Sequence, residues 1–315
     1  MKLFSRYIYF VFAIIILLSC NQASLAQVEI EWNYKEFCES QNSFKSSDGI
    51  IKYVDKGKGE TILLLHGVPS SSWLYRKMID GLTEAGYRVI VPDMLGFGDS
   101  ENPEGYQIYS AKEHAKRIIE LMDHLEIDKW NHVTHDAGGV WTWELFKKSP
   151  DKISNLILLN TIIYEEGFNP PVKMKEGAFA KFSMWLYKNG FTTNMLLSQL
   201  YKKGLKENTL SKSEIEGYKK PLLDGKTNAM YNFFTGTCNK LPNYDTVISN
   251  VNIPVTVIWG KHDEMLQWEP QKKKAINELK IQSEDVHIID AKHFIQEEKP
   301  EEINSLIINF LEKDI

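Results

Sequence analysis

The sequence lacks the signatures of several common chemistries. It has no Gly-x-Ser-x-Gly segment, which argues against an esterase built on a serine nucleophile. It has no phosphate-binding loop and no dinucleotide fingerprint, and its histidines and three cysteines do not fall at metal-ligand spacings. We therefore expect neither a cofactor nor a metal.

A strong excess of one charge is also missing. The net charge is −5 and no basic stripe is present, so we do not expect nucleic acid as a partner. There is no internal repeat and no low-complexity linker. The composition, 43% hydrophobic and 25% charged over 315 residues, is that of a globular protein with room for one large domain and an inserted subdomain. The sequence leaves the oligomeric state open.

The first 26 residues differ in kind from the rest. Two cationic residues precede the apolar run 7–18, which is too short to span a bilayer comfortably and is typical of a secretory signal. The run ends in Leu-Leu-Ser-Cys, which resembles a bacterial lipobox. We predict export from a bacterial cytoplasm with lipidation of Cys20, which would anchor the protein to a membrane. Periplasmic release after cleavage at Ala26 is the alternative. Whether Cys38 and Cys238 pair cannot be decided from their spacing.

Apolar strand candidates alternate with helical stretches from residue 61 onward. The predicted strands are 61–65, 87–91, 132–134, 153–159, 254–258 and 286–289, and the predicted helices are 73–85, 110–125, 140–148, 271–279 and 301–311. Continuous Val/Ile/Leu strands between helices favour an α/β class with a mostly parallel sheet covered on both faces.

Between residues 166 and 245 the strand pattern stops, and aromatic-rich helical sequence replaces it. We interpret this segment as a helical cap inserted into a core made of 27–165 and 246–315. Ligands of open α/β sheets bind beyond the carboxyl ends of the strands, so such a cap would close over residues at those ends.

The most informative segment is NHVTHDAGGV at 131–140. An apolar strand there runs into small residues and then a helix, which forces Asp136 into a tight, exposed turn. The N–H groups of the helix N-terminus favour an anionic oxygen at this point. An aspartate held there attacks as a carboxylate. That suits an sp³ carbon bearing a halide or a strained epoxide oxygen, and it gives an alkyl-ester intermediate.

Other polar features follow neighbouring strands. The backbone N–H groups of Val68, after the turn His-Gly, and of Ala137 would together make a two-donor anion site. Asp263 comes just after a buried strand, and His293 comes after the last strand. Each of these features taken alone is more often structural than catalytic.

Five segments together resemble, in order and spacing, the α/β-hydrolase superfamily in its haloalkane dehalogenase and epoxide hydrolase branch. They are HGVPSSSWLYR at 66–76, DMLGFGDS at 93–100, THDAGG at 134–139, WGKHD at 259–263 and AKHFIQEEKPE at 291–301. The resemblance runs from about residue 60 to the C-terminus. It implies an α/β-hydrolase fold with Asp136 as nucleophile, His293 as the base that activates water and Asp263 as the acid that orients His293. Asn160 stands where some dehalogenases keep that acid, which supports Asp263. The implied reactants are a small apolar electrophile and water.

The chain departs from the dehalogenase pattern at three positions. Thr134 stands where the nucleophile turn usually begins with glycine, Ala137 where dehalogenases carry tryptophan, and Val68 where they often carry asparagine. Two usual halide donors are therefore missing. Trp185 resembles the cap tryptophan of one dehalogenase subgroup and is a candidate replacement, the alternative being an aromatic side chain that only packs.

Epoxide opening instead needs a proton donor for the developing alkoxide, and epoxide hydrolases use cap tyrosines for it. Tyr231 resembles the second of those positions, and Tyr187 resembles the first more loosely. Because it needs no halide cradle, epoxide hydrolysis is slightly favoured, although the cap sequence 178–221 looks more dehalogenase-like. Haloalkane dehalogenation stays open, as does a non-catalytic binding protein that kept the fold.

Overall fold

An eight-stranded sheet organises the described part of the chain. The computed structural model describes residues 32–170, 172–207 and 210–314. Its strands are β1 (Asn42–Lys45), β2 (Ile50–Gly57), β3 (Thr61–Leu65), β4 (Arg88–Asp93), β5 (Trp130–Asp136), β6 (Ile153–Thr161), β7 (Val255–Gly260) and β8 (Val286–Ile289). They lie in the order β1-β2-β4-β3-β5-β6-β7-β8. β1–β2 and β2–β4 pair antiparallel, and all later neighbours pair parallel.

Helices connect these strands and cover the sheet. The α-helices of the described ranges are α1 (Tyr34–Glu39), α2 (Arg76–Glu84), α3 (Ala111–His124), α4 (Gly138–Lys148), α5 (Ala178–Leu186), α6 (Gly190–Gly204), α7 (Lys212–Leu223), α8 (Asn228–Thr235), α9 (Asp245–Ser249), α10 (Lys272–Glu278), α11 (Ile295–Glu298) and α12 (Pro300–Leu311). None of the described helices is both long and apolar enough to cross a membrane.

The central strands are buried along their whole length. Every residue of β3 and β7 is buried, as expected for parallel strands with helices on both faces. The predicted strands and the predicted α/β-hydrolase class are therefore confirmed, with ends that shift by one or two residues at most strands.

The sequence prediction missed β1 and β2. Both belong to the antiparallel edge of the sheet, and buried and exposed positions are mixed along β2. A strand that keeps one face in water lacks the continuous apolar run that marks the central strands, so it carries a weaker signal.

Between the end of β6 and the start of β7, the described residues form helices and no strand. We use the name cap for residues 166–245, which contain α5 to α8. Within it α8 packs on α5, and α7 packs on α6 and on α1. The cap thus leaves the sheet at the carboxyl end of β6, on the side where β5 ends in Asp136.

A buried ionic cluster ties the cap to the core. Arg76 of α2 has a fully buried side chain and donates to Glu214 of α7 at 2.7 Å and to Glu297 of α11 at 2.8 Å. Lys77 contacts the same two carboxylates, and the hydroxyl of Tyr218 donates to Glu297. A buried charge is tolerated only with such partners, so this cluster fixes α7 relative to the sheet.

The predicted export segment, including Cys20, lies outside the described residues. The other two cysteines are described, and Cys38 and Cys238 are both unpaired. The chain from Tyr34 onward forms one compact unit.

Candidate active site

Asp136 ends β5 in a strained turn. Its φ is +50°, in the left-handed region that few residues other than glycine adopt. A Cβ atom on Gly67 would lie 2.2 Å from the Asp136 carboxylate, and one on Gly139 would lie 2.4 Å from the carbonyl oxygen of Ile162. The carbonyl of Asp136 accepts hydrogen bonds from Ile162 N–H at 3.1 Å and from the Thr161 hydroxyl at 2.9 Å. Small neighbours and these two bonds hold the turn in place.

The two oxygens of the Asp136 carboxylate have different surroundings. Oδ1 accepts the N–H of Val68 at 2.7 Å, whereas Oδ2 lies 3.6 Å from Nε2 of His293. The N–H of Ala137 also hydrogen-bonds to this carboxyl group. Burial raises the pKa of Asp136 above its ordinary value, and the charge of His293 and the two N–H donors offset only part of that rise. The N–H donors fix the carboxylate and leave Oδ2 directed to the histidine.

Asp263, in the loop after β7, has every carboxylate oxygen occupied. Oδ2 contacts Nδ1 of His293 at 2.8 Å and accepts the side-chain amide of Asn160 at 2.6 Å. Oδ1 accepts the N–H groups of Met265 and Leu266 at 2.8 and 3.0 Å. Burial alone would raise the pKa of Asp263, but the charge of His293 and these hydrogen bonds lower it. Asp263 is therefore held as an anion against the imidazole.

The imidazole of His293 lies between the two carboxylates. Burial alone would lower its pKa, but the negative charges of Asp263 and Asp136 and the hydrogen bond to Asp263 raise the pKa above the ordinary value. With Nδ1 bonded to Asp263, Nε2 is the nitrogen that meets Asp136 and the adjoining cavity. The structure thus brings together the three residues that the sequence placed at three separate strand ends.

The other histidines near this edge are held differently. His66 accepts the N–H of Met94 on Nε2 at 3.0 Å, and His135 uses Nε2 to contact the carbonyl of His293 at 3.0 Å. Burial lowers the pKa of both His66 and His135. His262 is exposed and pairs with Asp290. His135 supports the loop of His293, its ring lying 4.6 Å from that imidazole.

Asn160 has a positioning contact that the sequence did not reveal. Its Nδ2 donates to Asp263, and its Oδ1 accepts the N–H of Gly260 at 2.8 Å. It adopts a φ of +32° at the end of β6. An asparagine after a strand is usually a turn residue, so its amide contact to the acid could be seen only once β6 and β7 were adjacent.

A cavity of about 300 Å³ opens over Asp136 and His293. Its wall is mostly apolar, contributed by Val68, Pro69, Phe168, Val172, Leu196, Leu197, Leu200, Phe233, Phe234, Met265 and Leu266. Its other polar side chains are Asn169, Tyr187, Gln199 and Lys203. Most of these residues come from the cap, where aromatic-rich helical sequence gave no indication of which faces point to the sheet. A small apolar molecule fits such a space.

Of the cap residues singled out in the sequence, only Tyr187 lines this cavity. Burial raises the pKa of Tyr187, which keeps its hydroxyl protonated at neutral pH.

Tyr231 lies elsewhere, contrary to the sequence expectation. Its ring stacks on Tyr106 at a centroid distance of 3.9 Å, and its hydroxyl accepts the N–H of Gly177 at 3.1 Å. It lines a separate surface recess, and the residues of α8 that line the cavity over Asp136 are Phe233 and Phe234.

Trp185 also lies outside the cavity lining. Its side chain is 53% exposed and stacks on Phe182 at 5.7 Å. Trp185 and Tyr187 are two residues apart, and at the end of a helix that spacing directs them to different sides. The expected halide donor is therefore on the cap surface.

In the described residues no group of three or more His, Cys, Asp or Glu side chains is arranged to hold a metal ion. The polar side chains that line the cavity include a carboxylate, an imidazole and a phenol, beside two amides and an ammonium group. This set can carry out nucleophilic attack and proton transfer.

The chain belongs to the α/β hydrolase fold family, whose model matches residues 60–300. It is 29% identical over 285 residues to Haloalkane dehalogenase 2 of Mycobacterium bovis, covering 84% of this chain and 92% of that protein. It is 27% identical over 309 residues to Epoxide hydrolase 3 of Siraitia grosvenorii, covering 85% and 97%. A solved Vigna radiata epoxide hydrolase variant has the same fold, with a TM-score of 0.71 at 19% identity over 87% of this chain and 98% of that one. The protein is an α/β-fold hydrolase.

Proposed function

We propose that the protein hydrolyses small apolar epoxides through an ester on Asp136. One observation carries the proposal: Asp136, His293 and Tyr187 line the same apolar cavity, whose described lining contains no tryptophan. A nucleophile and a proton donor are what epoxide opening requires, whereas a halide cradle of indole N–H groups is missing from that lining.

In the first half-reaction Oδ2 of Asp136 attacks an epoxide carbon. The carbon–oxygen bond of the ring breaks, and the oxygen leaves as an alkoxide that takes a proton from the Tyr187 hydroxyl. Oδ2 is the attacking oxygen because Oδ1 is already held by Val68 N–H at 2.7 Å.

In the second half-reaction water attacks the ester. Nε2 of His293 removes a proton from a water molecule whose oxygen adds to the carboxyl carbon of Asp136. The N–H groups of Val68 and Ala137 hold the oxyanion that forms, and one such donor typically contributes about 3 kcal/mol. The intermediate collapses to the diol and free Asp136, and the proton on His293 returns to Tyr187. The sum is epoxide plus water to diol.

Haloalkane dehalogenation is the second candidate, and the likeness to Haloalkane dehalogenase 2 favours it. The same attack by Asp136 would then expel a halide. The side chains of the described lining that could donate to that halide are Tyr187, Asn169, Gln199 and Lys203, because Trp185 is 53% exposed on the cap surface. The likeness to Epoxide hydrolase 3 and the tyrosine in the cavity support the first candidate.

Intact-protein mass spectrometry of His293→Gln separates the two. Without the base, the enzyme should stall at the ester when it is exposed to epoxide and haloalkane panels in turn. A mass gain equal to the whole epoxide supports epoxide opening, and a gain equal to the alkyl group without its halide supports dehalogenation. The double variant His293→Gln/Asp136→Asn should gain no mass. An adduct on that double variant would contradict Asp136 as nucleophile.

The two cap tyrosines give a matched pair for the proton donor. Tyr187→Phe should lower kcat/KM for epoxides by about 10²-fold, the lower end of general-acid contributions. Tyr231→Phe, outside the cavity, should change it little. Equal effects of both substitutions would exclude Tyr187 as the specific donor.

We also propose that the chain is exported and lipidated at Cys20. The lipobox-like Leu-Leu-Ser-Cys after the apolar run supports this proposal. Metabolic labelling with a palmitate analogue should mark the protein and should fail on Cys20→Ser. A mature chain that begins at Gln27 would instead establish ordinary signal cleavage.

A further inference from the structure

Exposed apolar side chains are concentrated in one short stretch of the cap. Of the seven large apolar residues that are exposed in the described chain, five fall between residues 179 and 195. They are Phe179 at 74%, Phe182 at 54%, Trp185 at 53%, Phe191 at 82% and Met195 at 53% exposure. We call these five residues the aromatic patch. Such a concentration on a soluble surface marks an interaction site.

The aromatic patch belongs to two consecutive amphipathic helices. On α5 its members are three residues apart, which places them along one face, and the rings of Phe182 and Trp185 stack. Ala180, Ser183 and Met184 of the same helix are buried. Three residues join α5 to α6, whose first turns carry the remaining two members of the patch. The buried faces of both helices are already packed, and nothing in the described ranges of the chain covers the patch.

The stretch of chain that carries the aromatic patch is rich in positive charge. Residues 173–206 contain seven lysines and one glutamate, in a chain whose net charge is −5. All seven lysines are exposed, and Lys206 pairs with Asp290; they are Lys173, Lys175, Lys181, Lys188, Lys202, Lys203 and Lys206. Exposed Phe and Trp side chains in a lysine-rich segment are complementary to an anionic layer with an apolar interior.

We propose that the cap docks through the aromatic patch onto an anionic lipid bilayer, with α5 and α6 lying in the plane of the interface. Interfacial helices combine Trp and Phe on one face with Lys beside them. Protein–protein interfaces, by contrast, are depleted in Lys. The seven lysines therefore favour a lipid surface over a second copy of this chain. Each lysine near an anionic surface strengthens binding about five-fold.

The docking surface adjoins the cavity over Asp136. Tyr187 lies in the connection between α5 and α6, and Leu196 follows Met195 of the patch; both line the cavity. Docking would therefore bring this wall of the cavity to the lipid interface, where apolar molecules concentrate. Docking itself does not depend on the proposed epoxide hydrolysis; delivery of an epoxide from the bilayer does.

Hydrogen–deuterium exchange of the full chain with vesicles tests the proposal. Phosphatidylcholine vesicles with phosphatidylglycerol should slow exchange in α5 and α6 but not in α10, and added salt should reverse the effect because it screens the lysines. The readout is resolved by segment, so attachment of the N-terminal residues to the same vesicles does not imitate it. Pure phosphatidylcholine should have a much weaker effect.

Two variants assign the effect to the aromatic patch and its lysines. Lys181→Gln/Lys188→Gln should raise the anionic lipid concentration for half-maximal protection by about 30-fold, from two losses of about five-fold each. The matched control Lys129→Gln/Lys273→Gln removes two exposed lysines elsewhere and should not change it. Phe182→Ser/Trp185→Ser should abolish protection while hydrolysis of a water-soluble substrate continues.

Three results would overturn the proposal. The first is equal exchange of α5 and α6 with and without anionic vesicles. The second is protection without lipid that grows with protein concentration, which would make a second copy the occupant. The third is concentration-independent protection without lipid, which would mean that another part of the chain covers the patch.

Discussion

Asp136, Asp263 and His293, which we call the floor of the candidate active site, are held differently from the side chains of the cap. On the floor, Asp136, Asp263 and His293 each have several short hydrogen bonds or ion-pair partners, and all three are buried or nearly so. In α5 and α6 of the cap, large aromatic side chains are more than half exposed. The residues proposed for catalysis therefore lie where the strand ends converge. Helices of the cap line the cavity, and those that leave one face exposed offer a surface for partners.

The two regions meet at the buried cluster of Arg76, Glu214 and Glu297. Glu297 lies four residues after His293, and Glu214 lies on cap helix α7. Arg76 thus bonds at once to the segment that carries His293 and to the cap. Because these charges are buried, removing Arg76 would leave Lys77, among the described residues, to compensate both carboxylates.

Among the floor residues, replacement of Asp136, the proposed nucleophile, should lower activity most. Asp136→Asn keeps an oxygen for the N–H of Val68 but cannot form the ester, so we expect kcat to fall by about 10⁴-fold or more. Because burial raises the pKa of Asp136, the charged carboxylate costs folding free energy at neutral pH. The variant should therefore melt no lower than the wild type, with Asp80→Asn on the surface as control. A lower Tm would show that the loss of activity is a loss of fold.

The next largest effect concerns Asp263, which positions His293 and does not itself attack the substrate. Asp263→Asn should lower kcat by about 10³- to 10⁴-fold, as loss of the orienting acid does in comparable triads. His293 must be neutral to accept a proton, so activity falls as the pH drops through its pKa, which Asp263 raises above the ordinary value. In the Asp263→Asn variant, the pH at which activity falls on the acid side should move to a lower value. A value that stays in place would mean that another group controls it.

The junction between cap and core should affect stability more than chemistry. Arg76→Met leaves two buried carboxylates with the partly exposed Lys77 as their remaining cationic partner among the described residues, and we expect a loss of about 3–5 kcal/mol in the free energy of unfolding. Chemical denaturation measures it. The exposed pair Lys56–Asp80 is the comparison, since Lys56→Met should cost less than about 1 kcal/mol. Similar losses from both would mean that the cap is not fixed by this cluster.

The smallest expected effect is on stability and concerns Thr134, which stands where the turn around Asp136 usually begins with glycine. Thr134 is buried, and its hydroxyl has no hydrogen-bond partner in the described part of the chain. Thr134→Val keeps the shape, so stability should stay within about 1 kcal/mol of the wild type or rise. A loss of more than about 2 kcal/mol would reveal a hydrogen bond to this hydroxyl.

The residues of the floor could be predicted because their positions are local features. A buried strand followed by a loop places its next polar residue at the carboxyl edge of the sheet, and parallel strands bring those edges together. Asp136 ends such a strand, and Asp263 and His293 follow two others, so their chain order grouped them once the resemblance to the α/β-hydrolase superfamily was recognised. The continuous apolar runs predicted β3 to β8 and an α/β class, whereas the α/β-hydrolase fold was implied by the resemblance.

The directions in which the cap side chains point could not be predicted in the same way. In sequence Tyr231 matched its position better than Tyr187 did, and Trp185 was a candidate halide donor, but of these three only Tyr187 lines the cavity. Which way a helix face points depends on what it packs against, and the partners of α5 and α8 are distant in sequence. The support of Asp263 by Asn160 depends in the same way on β6 lying beside β7.

The sequence by itself determined β3 to β8, the fold class and the identities of the residues at the strand ends, because each is encoded within a few consecutive residues. The tertiary structure decided which cap tyrosine lines the cavity over Asp136, how Arg76 joins cap to core, and that five large apolar side chains of the cap stay exposed. These outcomes depend on how each helix is rotated against partners that are distant in sequence. Helical periodicity predicts that a face is apolar but does not predict what covers it.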